Sequence, residues 1–342
     1  GTEVHYGVCL QTTVLHRRTH FDGVIDKRAE MQRCVCIISR YPFISFFLQI
    51  LRDLVQLLNR DDMNKLLFDE VVASYVGWPV PAPGTSKNFF PIGVSGRPAT
   101  QGTFELSRPA PRPEVGTHSL PEEIQLLREW ALPILFSAMS IDNILMMLSC
   151  AMREMHVLVV AENLQLVSAA IWSLVCLLHP LKWANPLIVT VPNTLYEFLD
   201  SPIPPLLGIE ELPNSFEIKP GVVIVRPDQD KLLFYTDEEM LPFPQFTRLC
   251  RELKGHESTL RGRGGLVPPV MQNVSLDLLQ RSPSPAWGPL PPSAVHLSAF
   301  EAIAYDIQIH VEKLIDVVLK IDEGKIFTKL QGLGWSSNNS SV

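Results

Sequence analysis

The chain has 342 residues, of which 46% are hydrophobic, and its formal net charge is −7. This length suggests two or three domains, and the hydrophobic content is ample for a sizeable core. The negative charge and a pI near 5.7 argue against a nucleic-acid-binding protein, which needs a basic face. The longest nearly uncharged apolar stretch, residues 166–178, is too short to span a bilayer, and residues 1–11 lack the features of a signal peptide.

The cysteine pattern indicates a reducing compartment. The six cysteines lie mostly within apolar runs and show no paired framework. We therefore expect reduced, buried thiols and a cytoplasmic protein.

Two stretches, residues 77–121 and 255–292, are rich in proline, glycine and serine. Their composition predicts long loops or linkers without packed core, disordered in part. They divide the chain into apolar segments at residues 1–76, 122–254 and 293–335, and the polar residues that end the chain predict a loose tail up to residue 342.

The first apolar segment predicts a small α+β lobe. Residues 5–15 read as a strand, and a second short apolar run follows at residues 34–42. Apolar residues then recur at helical spacing from Ile44 to Leu58, and Pro42 stands near the start of this helix, where proline is tolerated.

The second apolar segment predicts a doubly wound α/β lobe with a mainly parallel sheet. Ser140 is placed to cap a helix whose apolar stripe runs from Ile141 to Met155. A helix that is apolar on nearly all sides follows at residues 163–178. Apolar runs around this helix predict buried strands at residues 156–161, 186–191, 204–209 and 221–226. Uninterrupted apolar strands joined by a helix are typical of parallel sheets covered by helices.

The motifs of common enzyme sites are not found in the sequence. No phosphate-binding GxxxxGK[ST] occurs, and no GxGxxG follows a predicted strand. His16 and His20 have the spacing of a metal pair only if helical, but they lie where a strand runs into a loop. The sequence therefore predicts no catalytic residue, no metal site and no cofactor.

Residues 154–208 carry ordered motifs that resemble the central core of the DENN domain. An L-x-P-x-x-W element is followed by an apolar strand that ends in proline, and then by an S-P-x-P-x-x-x-G element. Their residues are Leu178, Pro180, Trp183, Pro192, Ser201, Pro202, Pro204 and Gly208. Residues 6–11 and 36–51 resemble the upstream part of the family, so the resemblance covers about two thirds of the chain.

The sequence departs from the family pattern in three places. Ala184 and Asn185 replace a Gln-His pair that is common after the tryptophan, and Arg226-Pro227 precedes the usual Asp-containing turn, which keeps Asp228 and Asp230. The downstream helical region corresponds only to residues 293–335, so we expect it to be shortened.

The resemblance implies a bilobal protein that promotes nucleotide exchange on a Rab-family small GTPase. It implies a longin-like N-terminal lobe, whose opening strands would precede residue 1, and an α/β C-terminal lobe, with the GTPase held across both. An exchange factor acts by differential binding and needs no nucleophile. The implied localisation is cytoplasmic, with peripheral recruitment to vesicle or endosomal membranes through the GTPase.

Polar and aromatic residues at element ends are the candidates for the GTPase interface. Ser140, Asp142 and Asn143 lie at a predicted helix start, where simple capping is the alternative role. Lys182 and Trp183 lie in the loop before a strand, and core packing is the alternative for Trp183.

Arg226 and Asp228 are further candidates, because they follow the carboxyl end of a strand, where α/β folds place binding groups. Two other functions stay open. Some longin–DENN relatives activate GTP hydrolysis with an arginine, for which Arg40 or Arg128 could serve, and a non-catalytic DENN scaffold would only bind a GTPase or another partner.

Overall fold

A computed structural model of the chain describes residues 4–16, 29–58, 65–90, 104–110, 121–235, 242, 246–260, 307 and 311. The chain divides into two compact units. The N-terminal unit comprises Gly1–Pro113 and Ser119–Leu127, and the C-terminal unit comprises Glu114–His118 and Arg128–Val342.

The N-terminal unit begins with an antiparallel hairpin, which is followed by two helices. The strands are β1, Tyr6–His16, and β2, Ala29–Ser39, and the helices are α1, Ile44–Leu58, and α2, Lys65–Val76. Alternation along β1 buries Tyr6, Val8 and Thr12 and leaves the residues between them exposed or half-buried. The predicted first strand and amphipathic helix are confirmed, whereas α2 was not predicted.

A second hairpin lies within the stretch that was predicted to lack packed core. Its strands are β3, Ser86–Phe89, and β4, Phe104–Ser107. Phe89, Phe104 and Leu106 are buried in the same cluster as the inner face of α1, and the Trp78 ring stacks on Phe89 at 4.8 Å between centroids. The prediction for residues 77–121 is therefore wrong in the described part, because alternation in strands of four residues buries side chains without a long apolar run.

The C-terminal unit contains a five-stranded sheet and most of the described helices. Its helices and strands are, in chain order, α3, Glu122–Ala138 (which begins in the N-terminal unit), α4, Ile141–Met152, β5, His156–Val160, α5, Leu164–Leu178, β6, Leu187–Ile188, a 3₁₀ helix, Asn193–Asp200, β7, Leu206–Ile209, β8, Val222–Arg226, a short 3₁₀ turn, Pro227–Gln229, β9, Lys231–Tyr235, and α6, Phe246–Leu260. The four predicted strands and the two predicted helices are confirmed, and α3, β9 and α6 were not predicted.

The strand order is β6-β7-β5-β8-β9. β6, β7, β5 and β8 are parallel, and β9 pairs with β8 in the antiparallel direction. The prediction of a mainly parallel sheet is thus confirmed.

The α-helices of the described residues pack on one face of this sheet. On β5, Val157 and Val159 face the core that α3, α4, α5 and α6 complete, together with Ile307 and Val311. Leu158 and Val160 face a smaller core that the 3₁₀ helix and residues 212–218 cover.

The predicted α/β lobe with a mainly parallel sheet is confirmed, and the face opposite the α-helices is covered by a 3₁₀ helix and a loop. The predicted downstream helical region lies almost entirely outside the described residues, as does the predicted linker at residues 255–292 except for its first six residues, which lie in α6.

Candidate functional site

One edge of the C-terminal sheet gathers polar side chains. Because β5, β7 and β8 are parallel, their carboxyl ends lie at the same edge. The carboxyl edge is defined here by residues 161–163, 210–211 and 226–230, together with residues 140–143 at the start of α4. The opposite, amino edge comprises the chain that enters these strands.

Asp230 joins the start of α4 to the turn after β8. Its Oδ1 atom accepts hydrogen bonds from the Ser140 backbone N–H at 2.8 Å, the Ser140 hydroxyl at 3.1 Å and the Asn143 amide nitrogen at 2.9 Å. The Asn143 amide also donates to the Asp230 carbonyl at 2.7 Å. These contacts hold two segments in place that are about 90 residues apart in sequence.

Capping by the Ser140 side chain, the alternative role for this residue, is not observed, because its hydroxyl makes no cap hydrogen bond within α4. The Asp230 carboxylate instead takes the place of a cap, and negative charge is favourable at a helix N-terminus. Asp230 has a left-handed backbone with φ 51°, a conformation that aspartate adopts more readily than most residues.

Asp142 forms a second polar connection at the same edge. Its carboxylate lies 2.6 Å from Lys254 Nζ of α6, and both side chains are about half exposed. Burial favours the neutral acid, but hydrogen bonds from Lys254 and Cys250 outweigh it and hold the pKa of Asp142 below its usual range. Asp142 is thus a carboxylate that α6 orients at the carboxyl edge.

Arg226 and Asp228 complete this group of residues. Arg226 is half-buried at the end of β8, and Asp228 is exposed in the 3₁₀ turn that follows. Five of the predicted residues therefore lie at one edge: Ser140, Asp142, Asn143, Arg226 and Asp228. Asp230 was noted in the sequence as part of the Asp-containing turn after β8, but it was not among the predicted interface residues.

Lys182 and Trp183 lie at the amino edge, in the chain that leads from α5 into β6. Lys182 is exposed. Trp183 is half-buried against the main core, and its indole N–H donates to the Pro186 carbonyl at 3.2 Å. The predicted interface residues consequently form two groups at opposite edges of the sheet.

The two arginines considered for GTPase activation differ in exposure. Arg40 is exposed just after β2, and Arg128 is half-buried within α3. Within the described ranges there is no group of three His, Cys, Asp or Glu side chains arranged to hold a metal ion. No helix in the described part of the chain combines the length and apolarity needed to cross a membrane.

Comparison with known proteins bears directly on this architecture. The family model of the DENN (AEX-3) domain matches residues 30–231. The chain is 26% identical to DENN domain-containing protein 1C of Mus musculus over 259 residues, which cover 72% of this chain and 31% of that protein. It is 28% identical to the MAP kinase-activating death domain protein of Caenorhabditis elegans over 296 residues, covering 74% of this chain and 21% of that protein.

A human relative gives a similar result. The chain is 26% identical to DENN domain-containing protein 1B of Homo sapiens over 252 residues, which cover 68% of this chain and 30% of that protein. The chain thus spans less than a third of the length of each of these relatives. The family match confirms the resemblance that residues 154–208 carry.

Proposed function

This chain belongs to the DENN domain family, and from that premise we propose that it promotes GDP release from a Rab-family small GTPase. The observation that carries the proposal is the match across residues 30–231, which includes β5, β7 and β8 and the turn that leads to Asp230. An exchange factor binds the nucleotide-free GTPase more tightly than the nucleotide-bound form, so it shifts the equilibrium without making or breaking a bond.

The carboxyl edge supports the proposal as the surface that contacts the GTPase. Differential binding requires groups that are already fixed before the partner arrives, since ordering them on contact would cost affinity. The hydrogen bonds of Asp230 to Ser140 and Asn143 fix the start of α4, and the ion pair with Lys254 orients Asp142. Asp228 is an exposed carboxylate next to these fixed residues at the carboxyl edge.

Exchange is tested by loading a panel of Rab GTPases with a fluorescent GDP and measuring its release with and without this chain. We expect faster release from at least one Rab, and no faster hydrolysis of GTP in a parallel assay. Faster hydrolysis alone would assign a GTPase-activating function instead. Binding without either effect would assign a scaffold, and neither binding nor release across the panel would refute the proposal.

The position of the interface is tested with Asp228→Ala. Loss of a central interface contact should slow release per folded molecule by about tenfold, and the melting temperature should stay unchanged because the side chain is exposed. Glu217→Ala is the matched control, since it removes an exposed acidic side chain from the loop before β8.

The two edges are separated by comparing Asp228→Ala with Lys182→Ala. If Lys182→Ala slows release and Asp228→Ala does not, the interface lies at the amino edge and the assignment to the carboxyl edge is wrong. Binding of this chain to a Rab would also bring it to vesicle or endosomal membranes as a peripheral protein.

A further inference from the structure

Three cysteines lie on the outer face of the β1–β2 hairpin. Cys9, Cys34 and Cys36 are exposed, in contrast to the buried Cys150, Cys176 and Cys250. The prediction of buried thiols is therefore right for the C-terminal unit and wrong for the hairpin. In β2 only Val35 lies between Cys34 and Cys36, and it is half-buried, so strand alternation places both thiols of the C-x-C sequence on the outer face.

Cys9 and Cys36 have the geometry of a cross-strand thiol pair. They stand directly opposite each other in the antiparallel register, and their Sγ atoms are 2.8 Å apart. Opposite residues of an antiparallel pair have Cα atoms about 4.5–5.5 Å apart, which lies inside the range of about 4.4–6.8 Å that a disulfide requires. The two sulfurs can join without a rearrangement of the backbone.

We propose that Cys9 and Cys36 are an oxidant-responsive modification site, which a peroxide converts into a cross-strand disulfide. Cys34 stands opposite Gln11 in the register, so it occupies the same face without a directly opposed thiol. The pair of Cys9 and Cys36 is accordingly the product that the hairpin favours.

The reaction consumes one peroxide for each disulfide. One sulfur of the pair attacks one peroxide oxygen as its thiolate, the O–O bond breaks, and that sulfur becomes a sulfenic acid while the other oxygen leaves as water or an alcohol. The second sulfur then attacks the sulfenic sulfur, loses its proton and expels the sulfenic oxygen as water. The two thiols lose two electrons together, and the peroxide gains them.

The disulfide would tie β1 to β2 across the segment that connects them. A crosslink that closes a loop of this length restricts the unfolded chain. We expect the melting temperature of the N-terminal unit to rise by about 5–10 °C on oxidation.

The test uses the full chain, reduced, freed of reductant and treated with a small excess of hydrogen peroxide before free thiols are alkylated. Peptide mapping should find the peptide of Cys9 joined to the peptide of Cys36, with the loss of two hydrogens, and dithiothreitol should reverse the change. Cys36→Ser should abolish the crosslink and the rise in melting temperature. Cys34→Ser, on the same strand and face, should retain both.

Three results would overturn the proposal. The first is a crosslink that joins Cys9 to Cys34, and the second is a disulfide that forms only between two molecules. The third is that the hairpin thiols still react with the alkylating agent after treatment with peroxide concentrations that already oxidise a free thiol peptide. Mapping of the unmutated chain, with fragmentation of the crosslinked peptide between Cys34 and Cys36 to locate the bond, decides among these outcomes even if a serine variant fails to fold.

Discussion

Two proline-rich regions of the chain, residues 77–121 and 179–208, look alike in composition but led to opposite predictions. The first was expected to lack core, and the second was expected to consist of strands separated by prolines. In the structure both contain short packed strands, β3 and β4 in the first and β6 and β7 in the second. The density of prolines therefore does not distinguish a linker from a folded segment.

The difference between the two regions lies in how their strands are buried. Strands β6 and β7 belong to a five-stranded sheet, and β7 is buried on both faces, so it reads as a continuous apolar run. Strand β4 has one buried face, with Phe104 and Leu106 inward and Glu105 exposed. Four alternating residues are too short a pattern to stand out among prolines.

The most severe test of this comparison is removal of the first region's hairpin by deletion of residues 86–107. The N-terminal unit should lose its cooperative unfolding transition, because the deletion removes Phe89, Phe104 and Leu106 from its core. Circular dichroism in the near ultraviolet and limited proteolysis measure the loss. A deleted chain that retains the native aromatic signal would restore the interpretation of this region as a linker.

The control for that deletion keeps the hairpin and changes its outer face. Asn88 and Glu105 are exposed residues that stand opposite each other in β3 and β4. The double substitution to alanine should leave the unfolding transition in place, since exposed positions of this kind usually change stability by less than about 0.5 kcal/mol.

Gly208 tests how tightly the second region is packed. A Cβ atom at this position would overlap the Val189 carbonyl oxygen and would lie 2.8 Å from Ile171 Cδ1. Gly208→Ala should lower the free energy of unfolding by about 3–4 kcal/mol, because the nearest obstacle is backbone that cannot move aside. Denaturant unfolding of the C-terminal unit measures the effect.

Gly77→Ala provides a matched control for that substitution. Its added Cβ would lie 3.6 Å from the nearest atom, which is an ordinary contact, so we expect a change below about 1 kcal/mol. Equal effects of the two substitutions would show that Gly208 does not mark a close approach of β6 and α5 to β7.

A tryptophan anchors each region, and the two rings differ in their partners. Trp78 contacts the rings of Tyr75, Phe46, Phe89 and Phe104. Trp183 packs beside the main core and donates one hydrogen bond.

Trp78→Ala should therefore cost about 3–4 kcal/mol, and Trp183→Ala about 2–3 kcal/mol. Thermal unfolding of each variant provides the measurement. If Trp183→Ala leaves the melting temperature unchanged, this ring lies outside the core, and the prediction that Trp183 is an interface residue gains support.

The parts of the fold that were predictable share a strong local pattern. The helix from Ile44 to Leu58 has a clear apolar stripe, and α5 and its flanking strands are long apolar runs with a cap at Asn163, whose side chain accepts from two backbone N–H groups. Strand β9 was missed because its residues are mostly exposed at the edge of the sheet. Helix α3 was missed because Pro133 lies inside it, and proline normally argues against a helix interior.

The candidate site was predictable as a list of residues but not as an arrangement. Ser140 and Asn143 were chosen because they stand at a helix start, and Arg226 because it ends a strand. That these elements meet depends on sheet order and on the hydrogen bonds of Asp230, which join distant parts of the sequence. Local patterns carry no information about such pairing, so the separation of Lys182 from this group was not foreseen.

The smallest expected effect concerns the pH dependence of the second region, through His156 at the start of β5. Burial, followed by the positive charge of Lys219, lowers the pKa of His156 to about 4 from its ordinary value of 6.5, and Asp200 opposes the shift. Lys219 and Asp200 themselves form an exposed ion pair at 2.8 Å. Asp200 ends the 3₁₀ helix of this region, so His156 reports on its packing.

The sign of the effect follows from where the proton binds. Between pH 6.5 and 4 the unfolded chain binds a proton on His156 and the folded chain does not, so stability falls as pH falls through this window. The neutral His156 ring therefore contributes about 1–2 kcal/mol to the free energy of unfolding relative to low pH, after allowance for the solvent screening of a half-buried ring. This contribution is present in full above pH 6.5.

His156→Gln isolates this contribution, because the carboxylates that titrate in the same window are common to both proteins. Relative to His156→Gln, the unmutated chain should lose about 1–2 kcal/mol of unfolding free energy when the pH falls from 7 to 4. Lys219→Ala should reduce the shift, since removal of a positive charge raises the pKa of His156 toward its ordinary value. A difference that is constant across this pH range would show that water reaches the ring, and that the second region packs more loosely at the amino edge than its buried strands imply.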